Sequence, residues 1–289
     1  MKTKLLLLGM CMAVFAISCN KDDETTVNQG GSDLVANQKV DSAIDDVSAI
    51  ADDQYEVNEG TPTGRDGTYP TTLPDCAIVT HANASNTTIT FGTATAGCMF
   101  RGHLLKGKVI LTRTVTTTFP KVMTITYDGF YIDGNKLEGE ATWTRSLIDA
   151  GTPNMRIKTV FAMHNITLIT PNGNYVRNGD RTRIMSHGFT TYGDFSDDEF
   201  ITYGSFTTVH PNGDEYVSYI SQTYPLLNKV SCGAALARFP VSGILILQKT
   251  SGGATHSVKL DYGTGVNASE CDDKAMMSID QGTAVEITL

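Results

Sequence analysis

The side chains that most often carry out chemistry form no known catalytic pattern in this chain. The H-E-x-x-H, G-x-S-x-G and P-loop motifs are all absent from the sequence. Three of the six histidines, His164, His187 and His210, recur at intervals of 23 residues, and neighbouring strands would bring them together in a metal site. Chance spacing on exposed positions explains the interval better. The sequence therefore predicts no cofactor and a protein that is not an enzyme.

Acidic residues are the next candidates for chemistry. They form one run at 197–199 and another around residues 270–273. Two facing carboxylates about 5–10 Å apart hydrolyse glycosides, and clustered acids in a loop can bind Ca²⁺. Neither run has the spacing of a known calcium loop, so we interpret both as solvated turn residues. Asp261, Asp272 and Asp273 remain weak metal candidates, and a glycan-acting hydrolase with paired carboxylates remains an alternative function.

The amino terminus has the pattern of an exported lipoprotein. Two lysines precede an uncharged, mostly apolar run at residues 5–17. This run is shorter than the roughly 20 residues of a membrane-spanning helix and is typical of a signal peptide over 1–18. The sequence AISC, which ends at Cys19, resembles the lipobox of bacterial lipoproteins. The resemblance implies cleavage before Cys19 and attachment of fatty chains such as palmitate, and two or three such chains anchor a protein durably.

The charged residues after Cys19 indicate where the anchor faces. Lys21, Asp22, Asp23 and Glu24 resemble the acidic export tag of surface lipoproteins in Bacteroidota. The resemblance implies an outer-membrane lipoprotein exposed at the cell surface, and the alternative is the periplasmic face of the same membrane.

The net charge limits the partners. It is −9 over the whole chain and becomes −11 once the signal peptide, with its two lysines and no acids, is removed. Nucleic-acid binding needs a basic footprint, so the composition argues against it. The same charge argues against flat docking on anionic lipid and favours solubility at a cell surface.

The remaining cysteines predict disulfides. Cys11 leaves with the signal peptide and Cys19 is lipidated, so four cysteines are left in an exported chain. Three pairings are open to them. We predict the sequence-local one, which joins Cys76 to Cys98 and Cys232 to Cys271.

Periodicity divides the mature chain into four segments. A flexible tether is expected over 19–32, an amphipathic acidic helix over 33–54, a Gly- and Pro-rich linker over 55–75, and a single all-β domain over 76–289. The helix places an apolar stripe opposite an acidic face, and we expect it to act as a spacer or to cover a sheet edge. The apolar stripe comprises Val40, Ile44, Val47, Ile50 and Ala51.

Strand patterns fill the β-domain. Segments such as KVILTRTVTTTF alternate apolar residues with threonine, and Asn-Gly or Asp-Gly turns punctuate them at 133–135, 171–174 and 211–214. These features predict an all-β fold, either an antiparallel β-sandwich or an extended twisted sheet of long hairpins. We expect Trp143, the single tryptophan, to lie in the core or to be half-buried.

Two groups of motifs resemble a known family. They are FGT…C…GKVIL and C…SGILIL…LDYGTG…CDDKA. Together with the lipobox and the acidic tag, they resemble uncharacterised surface lipoproteins of Bacteroidota, over most of the chain. This resemblance implies no activity. In addition, Ser42 in the sequence DSA resembles an O-glycosylation site of the same phylum.

The functional prediction follows from the anchor and from the missing motifs. We expect a non-catalytic binding or structural module, with a glycan or an envelope protein as its partner. A periplasmic lipid-handling protein is a further alternative, which would require a curved sheet with a large apolar concave face. Ligand and oligomeric state stay open.

Overall fold

The computed structural model describes residues 21–59, 71–93, 96–189, 191, 196–233, 239–251, 253–263 and 271–289. The described chain is mostly antiparallel β-sheet with one long helix, α1 (Lys21–Glu59). The first eight strands are β1 (Ala77–Asn83), β2 (Asn86–Phe91), β3 (Cys98–Phe100), β4 (His103–Arg113), β5 (Lys121–Ile132), β6 (Asn135–Ile148), β7 (Arg156–Thr170) and β8 (Gly173–His187). The others are β9 (Glu199–Val209), β10 (Glu215–Ile220), β11 (Leu226–Lys229), β12 (Ile244–Ser251), β13 (Ala254–Asp261), β14 (Lys274–Ile279) and β15 (Val285–Thr288).

All fifteen strands belong to one sheet. Its order is β1-β2-β4-β5-β6-β7-β8-β9-β10-β12-β13-β14-β15, while β3 pairs with the start of β4 and β11 with the start of β9. Most neighbours in the sheet are also neighbours in sequence, so the chain advances by hairpins. The all-β prediction is confirmed, and of its two architectures the structure has the extended sheet of long hairpins.

Each predicted turn connects two consecutive strands of the sheet. The turn at 133–135 joins β5 to β6, that at 171–174 joins β7 to β8, and that at 211–214 joins β9 to β10. Asp133 and Gly134 at the first of these turns have positive φ angles of 49° and 78°. Asp-Gly and Asn-Gly favour such turns because these residues tolerate a left-handed backbone.

Helix α1 is longer than the sequence suggested. It runs over Lys21–Glu59, whereas the predicted helix covered 33–54, so residues 21–32 of the predicted tether and 55–59 of the predicted linker are helical. Gly30 and Gly31, which belong to the segment expected to be a flexible tether, lie within this helix. A helix-interior glycine costs only about 1 kcal/mol, so propensity is a weak guide to helix ends. Among the described residues, no helix has both the length and the hydrophobicity to cross a membrane.

The apolar stripe of α1 packs against the face of the sheet and not against its edge. The stripe, extended by Ala43 and Tyr55, shares one core with residues from β2 to β9, for example Ile89 and Phe206. The helix is therefore neither a spacer nor an edge cover. Leu73 belongs to the same core, so the segment that was predicted as a linker returns to the body before β1.

The sheet curves around this helix. His103 of β4 contacts Ser42, and Arg177 of β8 contacts Asp41, the neighbouring helix residue. Four strand spacings of about 4.8 Å separate β4 from β8, so a flat sheet would hold these strands about 19 Å apart. Contacts from both strands to adjacent helix residues require a bent sheet.

The later strands add a second core and a second disulfide. Tyr216, Leu247, Val258 and Leu260 pack together on β10, β12 and β13. The disulfides join Cys76 to Cys98 and Cys232 to Cys271, which is the sequence-local pairing.

Candidate functional site

A row of aspartates on α1 faces a row of arginines on β8. Arg177 and Arg181 both bond to Asp41, and Arg181 also bonds to Asp45. The Arg177 side chain is fully buried, and burial lowers its pKa while the nearby Asp41 carboxylate opposes that shift. The acidic face that the sequence indicated therefore neutralises cations on the sheet, so this part of it is not simply solvated.

The same row continues toward the end of the helix, around the single tryptophan. Asp52 accepts a hydrogen bond from Trp143 Nε1 at 2.9 Å and lies 3.6 Å from Arg183. The Tyr55 ring packs 4.9 Å from that of Trp143, and the Arg145 guanidinium lies 4.5 Å from the Tyr55 ring centre. Trp143 is fully buried, as predicted.

A pocket opens beside this cluster, where α1 meets β2, β4, β5 and β6. Its free volume is about 20 Å³, which is room for about one water molecule. Two cationic side chains contribute to its wall, Arg113 of β4 and Lys121 of β5, and Lys121 donates to the carbonyl of Thr116. The remaining polar and aromatic lining comes from Gln54, Tyr55, Thr87, Thr114 and Trp143. Leu111, Val122 and Met123 form an apolar part of the wall. Amide, hydroxyl and cationic groups around one opening can bind a small polar ligand that carries negative charge.

A second cluster of polar side chains lies closer to the start of the helix, where it contacts β4. The Ser42 Oγ is 2.7 Å from His103 Nε2, and His103 Nδ1 is 2.6 Å from Asp133 Oδ2. The other Asp133 oxygen accepts the backbone amide of Leu104 at 2.8 Å. Burial acts to raise the pKa of Asp133, but these hydrogen bonds outweigh it and hold the pKa below its usual value. A serine, an imidazole and a carboxylate in this order are the groups of a nucleophilic triad.

A buried carboxylate accompanies that trio. Asp46 lies one helical turn beyond Ser42 and is only 3% exposed. Burial raises its pKa to about 7, against the opposing charges of His103 and Arg101. One oxygen of this carboxyl, Oδ2, accepts no hydrogen bond from the part of the chain that the structure describes.

The structure contains a second histidine–aspartate pair built in the same way. His256 Nδ1 lies 2.7 Å from Asp280 Oδ2, and the amide of Ser257 donates to the other Asp280 oxygen at 2.7 Å. Asp280, like Asp133, has a left-handed backbone, with a φ of 47°. In both places the histidine–aspartate pair therefore fastens a turn to the adjoining strand. Among the described residues, a serine at the imidazole Nε2 accompanies His103 and not His256.

The predicted acidic sites are not brought together. Glu199 pairs with Lys229 near the start of β9, and Asp197 accepts a hydrogen bond from Thr191. The other run precedes β14, four strands away in the sheet order, where Asp272 accepts the amide of Lys274. Glu270 lies outside the described residues.

The weak metal candidates have other partners. Asp261 pairs with Lys259 at 3.0 Å. Within the described part of the chain, no three His, Cys, Asp or Glu residues are placed to hold a metal ion together. The three evenly spaced histidines also differ in their surroundings, because His187 faces Asp197 while His210 bonds to Asn37 inside the body.

The predicted modification sites have unequal outcomes. Cys19 and the signal peptide lie outside the described residues. Lys21, Asp22, Asp23 and Glu24 form the first turn of α1. The Ser42 hydroxyl forms a hydrogen bond with His103, and the glycosylation of Ser42 stays a prediction.

Comparison with protein-family models, with curated proteins and with solved structures found no match for this chain. The trio of Ser42, His103 and Asp133 was missed at the sequence level because its members come from three separate elements and share no local motif. A predicted contact between α1 and β4 would have been needed to indicate the trio.

Proposed function

We propose that this protein is a lipid-anchored outer-membrane lipoprotein, exposed at the cell surface, that binds an acidic saccharide. The location rests on the lipobox at Cys19 and on the two disulfides, which persist in oxidising compartments. The binding role rests on one observation, the pocket between α1 and the sheet with its two cationic side chains.

The pocket favours a saccharide with a carboxylate over a neutral or apolar ligand. Its volume of about 20 Å³ suits a small charged group such as a carboxylate, so the sugar ring would lie at the mouth of the pocket. Gln54 and Thr87 supply neutral hydrogen-bonding groups, while Arg113 and Lys121 supply positive charge. A carboxylate bound between cations forms stronger hydrogen bonds than a neutral hydroxyl does.

The alternative functions fit the geometry less well. The sheet has the curved apolar face that a lipid-handling protein requires, but α1 occupies that face. An acyl chain would have to displace the helix together with its ion pairs to β8. A glycosidase with paired carboxylates would take both from 197–199 or both from 270–273, and within these runs Glu199 pairs with Lys229 while Asp272 accepts the amide of Lys274.

The anchor is tested in intact cells. We expect metabolic labelling with a palmitate analogue to mark the protein and a Cys19→Ser variant to remain unlabelled. External protease should digest the labelled protein without lysis. An unlabelled wild-type protein would contradict the anchor, and a labelled protein that resists the protease would place it on the periplasmic face.

The pocket is tested by the fluorescence of Trp143, the only tryptophan in the chain. Glucuronate should change this fluorescence saturably in the mature protein, while glucose should not. Arg113→Gln should weaken the response about tenfold or more, because it removes a charge-assisted contact. Lys108→Gln is the matched control, since Lys108 lies on the same strand and pairs with Asp128. No response to glucuronate, or an equal response to glucose, would overturn the proposed ligand.

A further inference from the structure

The trio on α1 and β4 has a geometry that the binding role does not use. We propose that Ser42, His103 and Asp133 form a nucleophilic site that hydrolyses small carboxylic esters. This inference goes beyond the proposed function, and neither the anchor nor the saccharide pocket depends on it.

The hydrogen bonds assign a role to each member. Asp133 accepts from the Nδ1 hydrogen of His103, which leaves Nε2 without a proton and able to accept from the Ser42 hydroxyl. Ser42 is the nucleophile and His103 is the general base. Asp133 is a positioning residue, because it holds the imidazole in this tautomer and is itself held by the amide of Leu104.

The trio is within reach of solvent. The side chains of His103 and Asp133 are 26% and 46% exposed, so a small ester can approach without a change of fold. Ser42 is half-buried at the same contact.

The surrounding charges favour the proton transfer. The imidazolium that forms on His103 would be stabilised by the Asp133 carboxylate on its Nδ1 side. Arg101 lies near the same residues, since its Nη1 is 3.5 Å from the carbonyl oxygen of Asp45, one turn from Ser42. It is the cation available to the oxyanion that develops on the substrate.

The reaction needs no co-reactant besides water. The Ser42 Oγ forms a bond to the ester carbonyl carbon while its proton passes to His103 Nε2. The ester C–O bond breaks, and the leaving alcohol takes that proton. A water molecule then gives a proton to Nε2 and its oxygen attacks the acyl carbon. The bond between that carbon and the Ser42 Oγ breaks, the carboxylic acid leaves, and the Nε2 proton returns to Oγ.

The second histidine–aspartate pair provides a matched control. His256 and Asp280 repeat the contacts of His103 and Asp133 at the opposite part of the sheet. A generally reactive imidazole would make both sites active, whereas the proposal requires activity at His103 alone.

The test treats the mature full-length protein with a fluorophosphonate probe and locates the adduct by peptide mass spectrometry. We expect labelling at Ser42. With p-nitrophenyl acetate we expect a burst of p-nitrophenol from acylation, followed by slow steady-state release. Ser42→Ala should abolish both, and His103→Gln should lower the labelling rate on the order of 1000-fold. His256→Gln should leave both unchanged. Asp133→Asn should displace the pH profile of labelling, which a purely structural residue would not do.

A second variant keeps the test decisive if a substitution disturbs folding. Ser42→Cys retains the size of the side chain, and its alkylation by iodoacetamide at pH 6 should be fast when His103 is present and slow in the double variant with His103→Gln. Equal alkylation rates in the two proteins would overturn the proposal. So would an unlabelled Ser42, an ester hydrolysis rate that Ser42→Ala does not change, or a native Ser42 whose hydroxyl already carries a glycan.

Discussion

Asp46 shows how a single buried acid couples the helix to the pH of the surroundings. It lies in the contact of α1 with the β3–β4 turn, where His103 and Arg101 attract a negative charge and Asp45 and Asp133 repel it. Burial is the largest influence and raises the pKa to about 7. The folded protein therefore retains a proton on this carboxyl that the unfolded chain releases near pH 4, the usual value for aspartate.

The first prediction concerns the effect of this proton on stability. Between about pH 4 and pH 7 the folded state binds more protons at Asp46 than the unfolded state, so the free energy of unfolding falls as the pH rises. Asp46→Asn removes this dependence. We expect the variant to exceed the wild type by about 2 to 4 kcal/mol at pH 8, given about 1.36 kcal/mol per pKa unit, and to match it near pH 4.

Urea unfolding followed at both pH values measures this difference. Asp128→Asn is the control, because that carboxyl is 60% exposed and pairs only at the surface. A gain in Asp46→Asn that is equal at pH 4 and pH 8 would show that the proton on Asp46 is not its cause.

Ion pairs join whole elements at the next scale. The core residues of helix α1 lie between Val40 and Tyr55, over about four and a half turns. Polar side chains of the same part of the helix bond to β4, β6 and β8. Arg177 is a fully buried cation among these partners. Its Nε donates to Thr208 at 2.9 Å, and its guanidinium lies 4.3 Å from the Phe206 ring centre. The partners of this cation determine how firmly the helix is held.

The second prediction separates the pair of Arg177 and Asp41 from its surroundings. Asp41→Ala leaves a fully buried cation whose hydrogen-bond partners among the described residues are neutral, with the Asp45 carboxylate nearby, whereas Arg177→Ala leaves Asp41 paired with Arg181. We expect Asp41→Ala to lower the free energy of unfolding by about 3 to 5 kcal/mol, since an uncompensated buried charge is costly. Arg177→Ala should cost less, because Asp41 keeps one cationic partner. The double variant should lose less than the sum, with a coupling of about 1 kcal/mol or more.

The matched comparison is the pair of Lys108 and Asp128, whose side chains are 47% and 60% exposed. The same double-mutant cycle there should give a coupling below about 1 kcal/mol. Similar couplings at the two sites would mean that burial of Arg177 does not strengthen the contact.

The body as a whole owes its shape to irregularities in the strands. The register shifts between β4 and β5, between β6 and β7, and between β7 and β8. Glycines lie at several of these shifts. At Gly107 an added Cβ would stand 1.9 Å from the carbonyl oxygen of Gly129, and at Gly139 it would stand 2.4 Å from that of Asn165. Bulges and glycine kinks bend strands, and here they let the sheet close around α1.

The sequence predicted the local parts of this body better than their arrangement. Alternation along KVILTRTVTTTF and the Asn-Gly turns indicated the hairpins, and the spacing of Val40, Ile44 and Val47 indicated the buried side of the helix. These patterns repeat within a few residues. The curvature could not be predicted in the same way, because a glycine such as Gly139 reads as a simple break in a strand until its neighbour on β7 is known.

The candidate sites were hidden for the same reason. Ser42, His103 and Asp133 are separated by 61 and 30 residues, and each has an ordinary local context. The pocket likewise depends on Gln54 of the helix meeting Arg113 and Lys121 of the sheet. Contacts between α1 and the sheet assemble both sites, and the sequence placed that helix apart from the β-domain.

The third prediction tests the origin of the curvature. Gly139→Ala should lower the free energy of unfolding by at least about 2 kcal/mol more than Gly129→Ala, and denaturant unfolding measures the difference. Both glycines have positive φ, 106° and 56°, so each alanine meets an unfavourable backbone that costs about 1 to 3 kcal/mol. Only the Cβ at 139 also collides with a neighbouring strand, since nothing lies within 4 Å of the one at 129. Equal losses would mean that the strands can separate at the bulge without penalty. The close approach at Gly139 would then be a consequence of the bend and not one of its causes.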